Sequence, residues 1–68
     1  MNSSVKEPQT KVQFYREKKK LSQYELARLS GVSRSAIILI ELGKSSPTMS
    51  TLQKLSEALD VAVQDLLK

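Results

Sequence analysis

The side chains that perform most acid–base, nucleophilic and metal chemistry are thin in this chain. Among its 68 residues there is no histidine and no cysteine, so zinc sites of the Cys/His kind and disulfide staples are excluded. The carboxylates Glu25, Glu41, Glu57, Asp60 and Asp65 form no paired constellation of the sort that general acid–base work requires. The serines cluster at places where a helix needs a cap. No catalytic residue, cofactor site or metal site is expected, and the chain does not read as an enzyme. Eleven Lys and Arg residues against seven Asp and Glu give a net charge of +4 and a pI near 9.6. That balance favours a polyanionic partner such as nucleic acid.

These residues must be positioned by helices. No segment alternates with strand periodicity, and no hairpin dipeptide is present. A first helix runs from about Thr10 to Lys20, with Val12 and Tyr15 as its apolar stripe and Lys18-Lys19-Lys20 at the end that favours cations. Ser22 with Glu25 three residues on makes a capping box, which predicts a helix over Gln23–Ser30. Leu26 and Ala27 are its apolar positions, with Leu29 a further candidate. Gly31 ends it. Val32 turns inward, and Ser33 caps a third helix that runs to about Leu42 and ends at Gly43. Pro47 enforces an extended approach to a fourth helix capped by Thr48 or Ser50. Leu52, Leu55 and Leu59 mark its buried face at helical spacing. Asp60 breaks the pattern, and Val61, Val63, Leu66 and Leu67 suggest a short fifth helix. The fold class is all-α, with five short helices in residues 10–68 and a polar N-terminal tail over 1–9, which reads as mobile.

Two helices joined by the tight turn Gly31-Val32-Ser33 form a helix-turn-helix unit spanning Gln23 to Leu42. Its second helix, in "SRSAIILIELGK", is too apolar for a helix with one buried face. On a helical wheel Ser33, Ile37, Ile40, Glu41 and Lys44 fall on one side, with Ile37 and Ile40 as the core pair. Ser35, Ile38, Leu39 and Leu42 fall on the other.

With "LSQYELARLSGVSRSAI", "IELGKSSPTMSTL" and "LSEALDVAVQDLL" in hand, residues 10–67 resemble the Cro/C1-type helix-turn-helix domain of the phage-repressor and XRE-like regulators, a lambda-repressor-like fold. The resemblance implies a sequence-specific DNA-binding transcriptional regulator, in most cases a repressor that binds a pseudo-palindromic operator as a dimer. It implies that Gln23 contacts the DNA backbone, where the end of the second helix also favours a phosphate. It places Ser33, Arg34, Ser35 and Leu39 toward the groove, and Lys44 and Ser45 in a loop that grips the backbone. Arg34 is the strongest base reader, because a guanidinium can bond guanine O6 and N7 together. Arg16 and Glu41 match an internal ion pair, so Arg16 is not counted among the DNA contacts. The expected homodimer surface is the C-terminal segment Val61 to Leu67, with part of the fourth helix. Leu66 and Leu67 are adjacent and cannot both face one core.

Three departures from the family pattern stand out. Lys20 replaces the usual glycine after the first helix, at a cost of roughly 1 kcal/mol if that residue is left-handed. Ala62 replaces the usual cap of the fifth helix, so that helix is expected to fray. Ile38, Leu39 and Leu42 are apolar where polar or basic residues are common. That face can meet thymine methyls, pack on a protein partner or another copy of the chain, or belong to the fold. An antitoxin-like or anti-regulator interaction module is the alternative function it suggests. The N-terminus lacks the apolar core of a leader, and the longest apolar run, Ala36–Ile40, is far short of the ~20 residues of a membrane helix. A cytoplasmic protein is therefore expected.

Overall fold

The computed structural model describes residues 10–67. The expected tail over 1–9 lies outside the described residues. Five α-helices follow one another: α1 (Lys11–Lys18), α2 (Gln23–Ser30), α3 (Arg34–Glu41), α4 (Met49–Leu59) and α5 (Val63–Leu67). The helix starts are set by side chains. Thr10, Ser22, Ser33 and Thr48 each accept a bond from the backbone amide three residues on, at 3.0 to 3.1 Å. Each satisfies one of the amides that a helix start leaves without a partner. At α2 the box is complete, because the Ser22 amide also donates to the Glu25 carboxylate at 2.8 Å. Of the two candidate caps for α4, Thr48 serves.

The helix ends are equally local in origin. Gly31 and Gly43 adopt left-handed φ values of 78° and 75°. So do Lys20 (60°) and Asp60 (59°), and Lys20 therefore carries the strain its type predicts. After α1, α3 and α4 the same pair of bonds turns the chain. Lys20, Gly43 and Asp60 donate to the carbonyls of Glu17, Ile40 and Glu57, and the residues that follow them donate to Arg16, Leu39 and Ser56. This closure caps the last carbonyls of each helix.

At α5 only half of a capping box is present. The Asp65 carboxylate accepts from the Ala62 amide at 3.0 Å, while Ala62 has no side-chain oxygen to accept from the Asp65 amide, which bonds the Ala62 carbonyl instead.

The core gathers Val12, Leu26, Val32, Ile37, Ile40, Leu52, Leu55, Leu59 and Leu66. Leu26, Ile37, Leu55 and Leu59 are fully buried, each stabilising the fold by about 1.5–3 kcal/mol. α2 packs against α3 and α4, and α1 packs against α3, α4 and α5. The two helices of the helix-turn-helix are thus held from behind by α1 and α4, and α5 packs on both of those. Leu29 does not join the core: it is 62% exposed, because Leu26 already occupies the inward line of this short helix. Among the described residues no helix is long and apolar enough to cross a membrane.

Candidate nucleic-acid interface

α3 divides cleanly. Ile37, Ile40 and Glu41 are buried, while Ser33, Arg34, Ser35, Leu39, Leu42, Lys44 and Ser45 are exposed. Seven successive residues from Ser33 to Leu39 therefore contain one inward anchor, Ile37, and an outer row of small, cationic and apolar side chains. The row begins at a helix N-terminus, where unpaired amides and the dipole favour an anion. The Ser33 hydroxyl accepts from the Ala36 amide at 3.1 Å, which leaves its own proton free to donate outward.

Ile38 departs from expectation. It is half-buried, so the outward apolar surface is made by Leu39 and Leu42, 44% and 50% exposed. With half of it in the open, Leu42 does not serve as a core residue bent back over α4.

Lys44 and Ser45 follow α3 without a gap. Gly43 turns the chain, and the Lys44 amide donates to the carbonyl of Leu39 at 2.9 Å. The lysine is thereby fixed to the final turn of the helix whose outer face carries Leu39.

Gln23 opens α2. The first-turn amides of Gln23 and Tyr24 have no intrahelical partner, and the Glu25 carboxylate is turned back onto Ser22. The Gln23 side chain is half-buried, and its Nε2 donates to Oε1 of Glu41 at 3.1 Å. That bond crosses eighteen positions of sequence. No local spacing signals it.

Behind this contact lies an ion pair. Arg16 donates from Nε to Oε2 of Glu41 at 2.6 Å and from Nη2 to Oε1 at 2.9 Å. Its Nη1 donates to the carbonyl of Leu21 at 2.7 Å. Arg16 is 9% and Glu41 4% exposed, so Arg16 is unavailable to DNA. The hydrogen bond to Glu41 pushes the Arg16 guanidinium further above its ordinary range, against the downward pull of burial.

A second basic feature lies on α1. The ammonium groups of Lys11 and Lys18 each stand over the ring of Phe14, at 5.6 and 5.7 Å from its centre, a cation–π arrangement. Tyr15 meets the same ring edge-on at 5.0 Å. The i−3 and i+4 spacing of these lysines was legible in the sequence. Among the described residues no group of three or more acidic, Cys or His side chains is placed to hold a metal ion.

A family model described as Helix-turn-helix matches residues 12–66 of this chain. An uncharacterised HTH-type transcriptional regulator of Methanocaldococcus jannaschii is 38% identical over 56 residues, covering 82% of this chain and 85% of that protein. The chain belongs to the Cro/C1-type helix-turn-helix family of transcriptional regulators. The HTH-type transcriptional regulator PuuR of Escherichia coli is 40% identical to this family member over 85% of the chain, which spans 31% of the PuuR length. The restriction-modification controller protein C.AhdI of Aeromonas hydrophila superposes with a TM-score of 0.79 at 36% identity, covering 82% of this chain and 85% of that one. A hypothetical transcription factor, NHTF, from Neisseria gives the same TM-score at 33% identity, over 85% of this chain and 67% of its own. The family's matches are DNA-binding regulators and not catalytic domains, and this helix-turn-helix regulator shares their all-α, five-helix architecture.

Proposed function

We propose that this regulator binds double-stranded DNA sequence-specifically, as a homodimer on a pseudo-palindromic operator, and represses transcription in the cytoplasm. α3 enters the major groove. Arg34 reads a base edge, Ser33 and Ser35 contact bases or the adjacent phosphates, and Leu39 meets a thymine methyl. Gln23, Lys44 and Ser45 hold the backbone on either side. The observation that carries this reading is the division of α3: its inner edge is committed to the core at Ile37, Ile40 and Glu41, and its outer edge is open from Ser33 to Leu39. The likeness to the restriction-modification controller protein C.AhdI supports a role in gene control.

The dimer surface is placed on the C-terminal segment. Leu66 is 8% exposed and Leu67 60%, so the adjacent pair splits into one core residue and one free to meet a second copy. Half-sites about one helical turn apart would match two such α3 helices.

Binding of a random duplex measured between about 50 and 200 mM salt tests the central claim, since several phosphate contacts make affinity fall steeply with salt. A flat response would remove DNA as the partner. Replacing operator thymines by uracil, one at a time, isolates the methyl that Leu39 touches. For the dimer, sedimentation of Leu67→Asp should show a monomer, and an unchanged mass would place the interface elsewhere.

One observation favours a second reading. Leu39 and Leu42 stand in the open one helical turn apart, alongside half-buried Ile38. An interaction module that docks this apolar edge on a protein would show no salt-dependent DNA binding and would lose its partner on Leu42→Asp.

A further inference from the structure

Glu41 lies on α3 but is buried in the protein, and three donors converge on it. Arg16 Nε reaches Oε2 at 2.6 Å, while Arg16 Nη2 and Gln23 Nε2 reach Oε1 at 2.9 and 3.1 Å. The same arginine bonds the carbonyl of Leu21 at 2.7 Å, one residue before the capping box that starts α2. One buried carboxylate on α3 is therefore linked through Arg16 to α1 and to the approach to α2. It is also linked directly to the first side chain of α2.

We propose that Glu41 is a positioning residue for DNA binding, which fixes the Gln23 amide in the orientation that meets a phosphate. The proposal rests on the reading of Gln23 as a backbone contact. A glutamine side chain presents N–H at one end and a carbonyl oxygen at the other. A carboxylate accepts only, so Glu41 requires the Nε2 end to face it. One of the two N–H groups is used there. The second remains on the same nitrogen, on a side chain that is half-buried at the start of α2, and can donate to a phosphate. Without Glu41 the amide is free to turn and present its oxygen, which repels a phosphate. Holding the side chain before DNA arrives also removes the loss of rotamer freedom from the binding step. An ion pair that merely stabilised the fold would leave affinity per folded molecule unchanged.

A double-mutant cycle in DNA affinity distinguishes the two roles. Gln23→Met, Glu41→Gln and the double variant are compared with the full wild-type chain, below the melting transition of each as followed by circular dichroism. Gln23→Met should weaken operator and random duplex alike by about 10-fold, as loss of a hydrogen bond to a charged group implies. Its salt slope should not change, because glutamine releases no counterion. Glu41→Gln should weaken binding by about 3-fold alone, and not at all further when Gln23→Met is present. An equal loss in both backgrounds, or none in either, overturns the positioning role. If Gln23→Met alone leaves affinity unchanged, the backbone contact itself is wrong and the positioning role falls with it.

Should Glu41→Gln fail to fold, the wild type carries the test. In its NMR spectrum one Gln23 side-chain amide proton should stand downfield of those of Gln53 and Gln64 and be protected from exchange. It should keep that position when duplex is added, while its geminal partner shifts. Two averaged, unprotected protons, or loss of the bond on DNA binding, would overturn the proposal.

Discussion

The amide of Lys44 donates to the carbonyl of Leu39 at 2.9 Å, so the cation beyond α3 moves with the last turn of that helix. The bond exists because Gly43 takes a φ of 75°. A Cβ at Gly43 would meet nothing within 4 Å, so backbone strain is the sole cost of substitution. Gly43→Ala is expected to lower stability by about 1 kcal/mol. In a domain of this size that is about 4–8 °C in Tm. Affinity for operator and random DNA should fall together as Lys44 shifts. A lower Tm with unchanged affinity would show that Lys44 is not held for DNA by this turn.

Lys20 offers the opposite change. It carries a φ of 60° and is exposed, so Lys20→Gly relieves strain without opening a cavity. Stability should rise by about 1 kcal/mol, read as a higher urea midpoint at unchanged slope.

Arg34 is exposed at the start of α3. Arg34→Ala should cost about 1–3 kcal/mol on the operator and little on random DNA if its guanidinium reads a base. An equal loss on both sequences would reassign it to the backbone, and the salt slope would then fall by about 0.9.

Arg16→Ala leaves the Glu41 carboxylate buried with one neutral donor, Gln23. The expected cost is about 3–5 kcal/mol, a large share of a small domain's total. Arg16→Met with Glu41→Leu should recover most of that stability, because the desolvated charges are removed together. On the positioning argument this pair should still bind DNA more weakly than wild type.

The dependence on pH follows from the same pair. Arg16 has its pKa raised in the fold. Its contribution is therefore fully present below the unfolded arginine value and is lost only as pH rises through the folded one, above the ordinary arginine range. With no histidine or cysteine in the chain, the urea midpoint should be flat between about pH 6 and 9. A step in that window would reveal another group coupled to folding.

Much of this molecule is decided within a few residues of chain. The Ser22–Glu25 box, the Ser33 and Thr48 caps and the left-handed turns at Gly31 and Gly43 are local chemistry, and each helix starts or stops within a residue or two of where its sequence places it. Ile37, Ile40, Leu52, Leu55 and Leu59 went to the core because their spacing leaves a short helix no other face to bury. The bond from the Ala62 amide to Asp65 is likewise local, spanning three residues.

What the tertiary structure alone decided lies in the partners. Leu29 is as apolar as Leu26 but finds no opposing helix. Ile38 is more deeply covered than Leu42, which is 50% exposed, though both lie on the outer arc of one wheel. The bond from Gln23 to Glu41 requires α2 and α3 to cross at one angle. Sequence specifies which residues prefer to be buried or hydrogen-bonded, since propensity, capping and periodicity act over one or two turns. Which group then meets which across eighteen or twenty-five positions depends on how the helices dock, and docking is the joint result of every packed side chain.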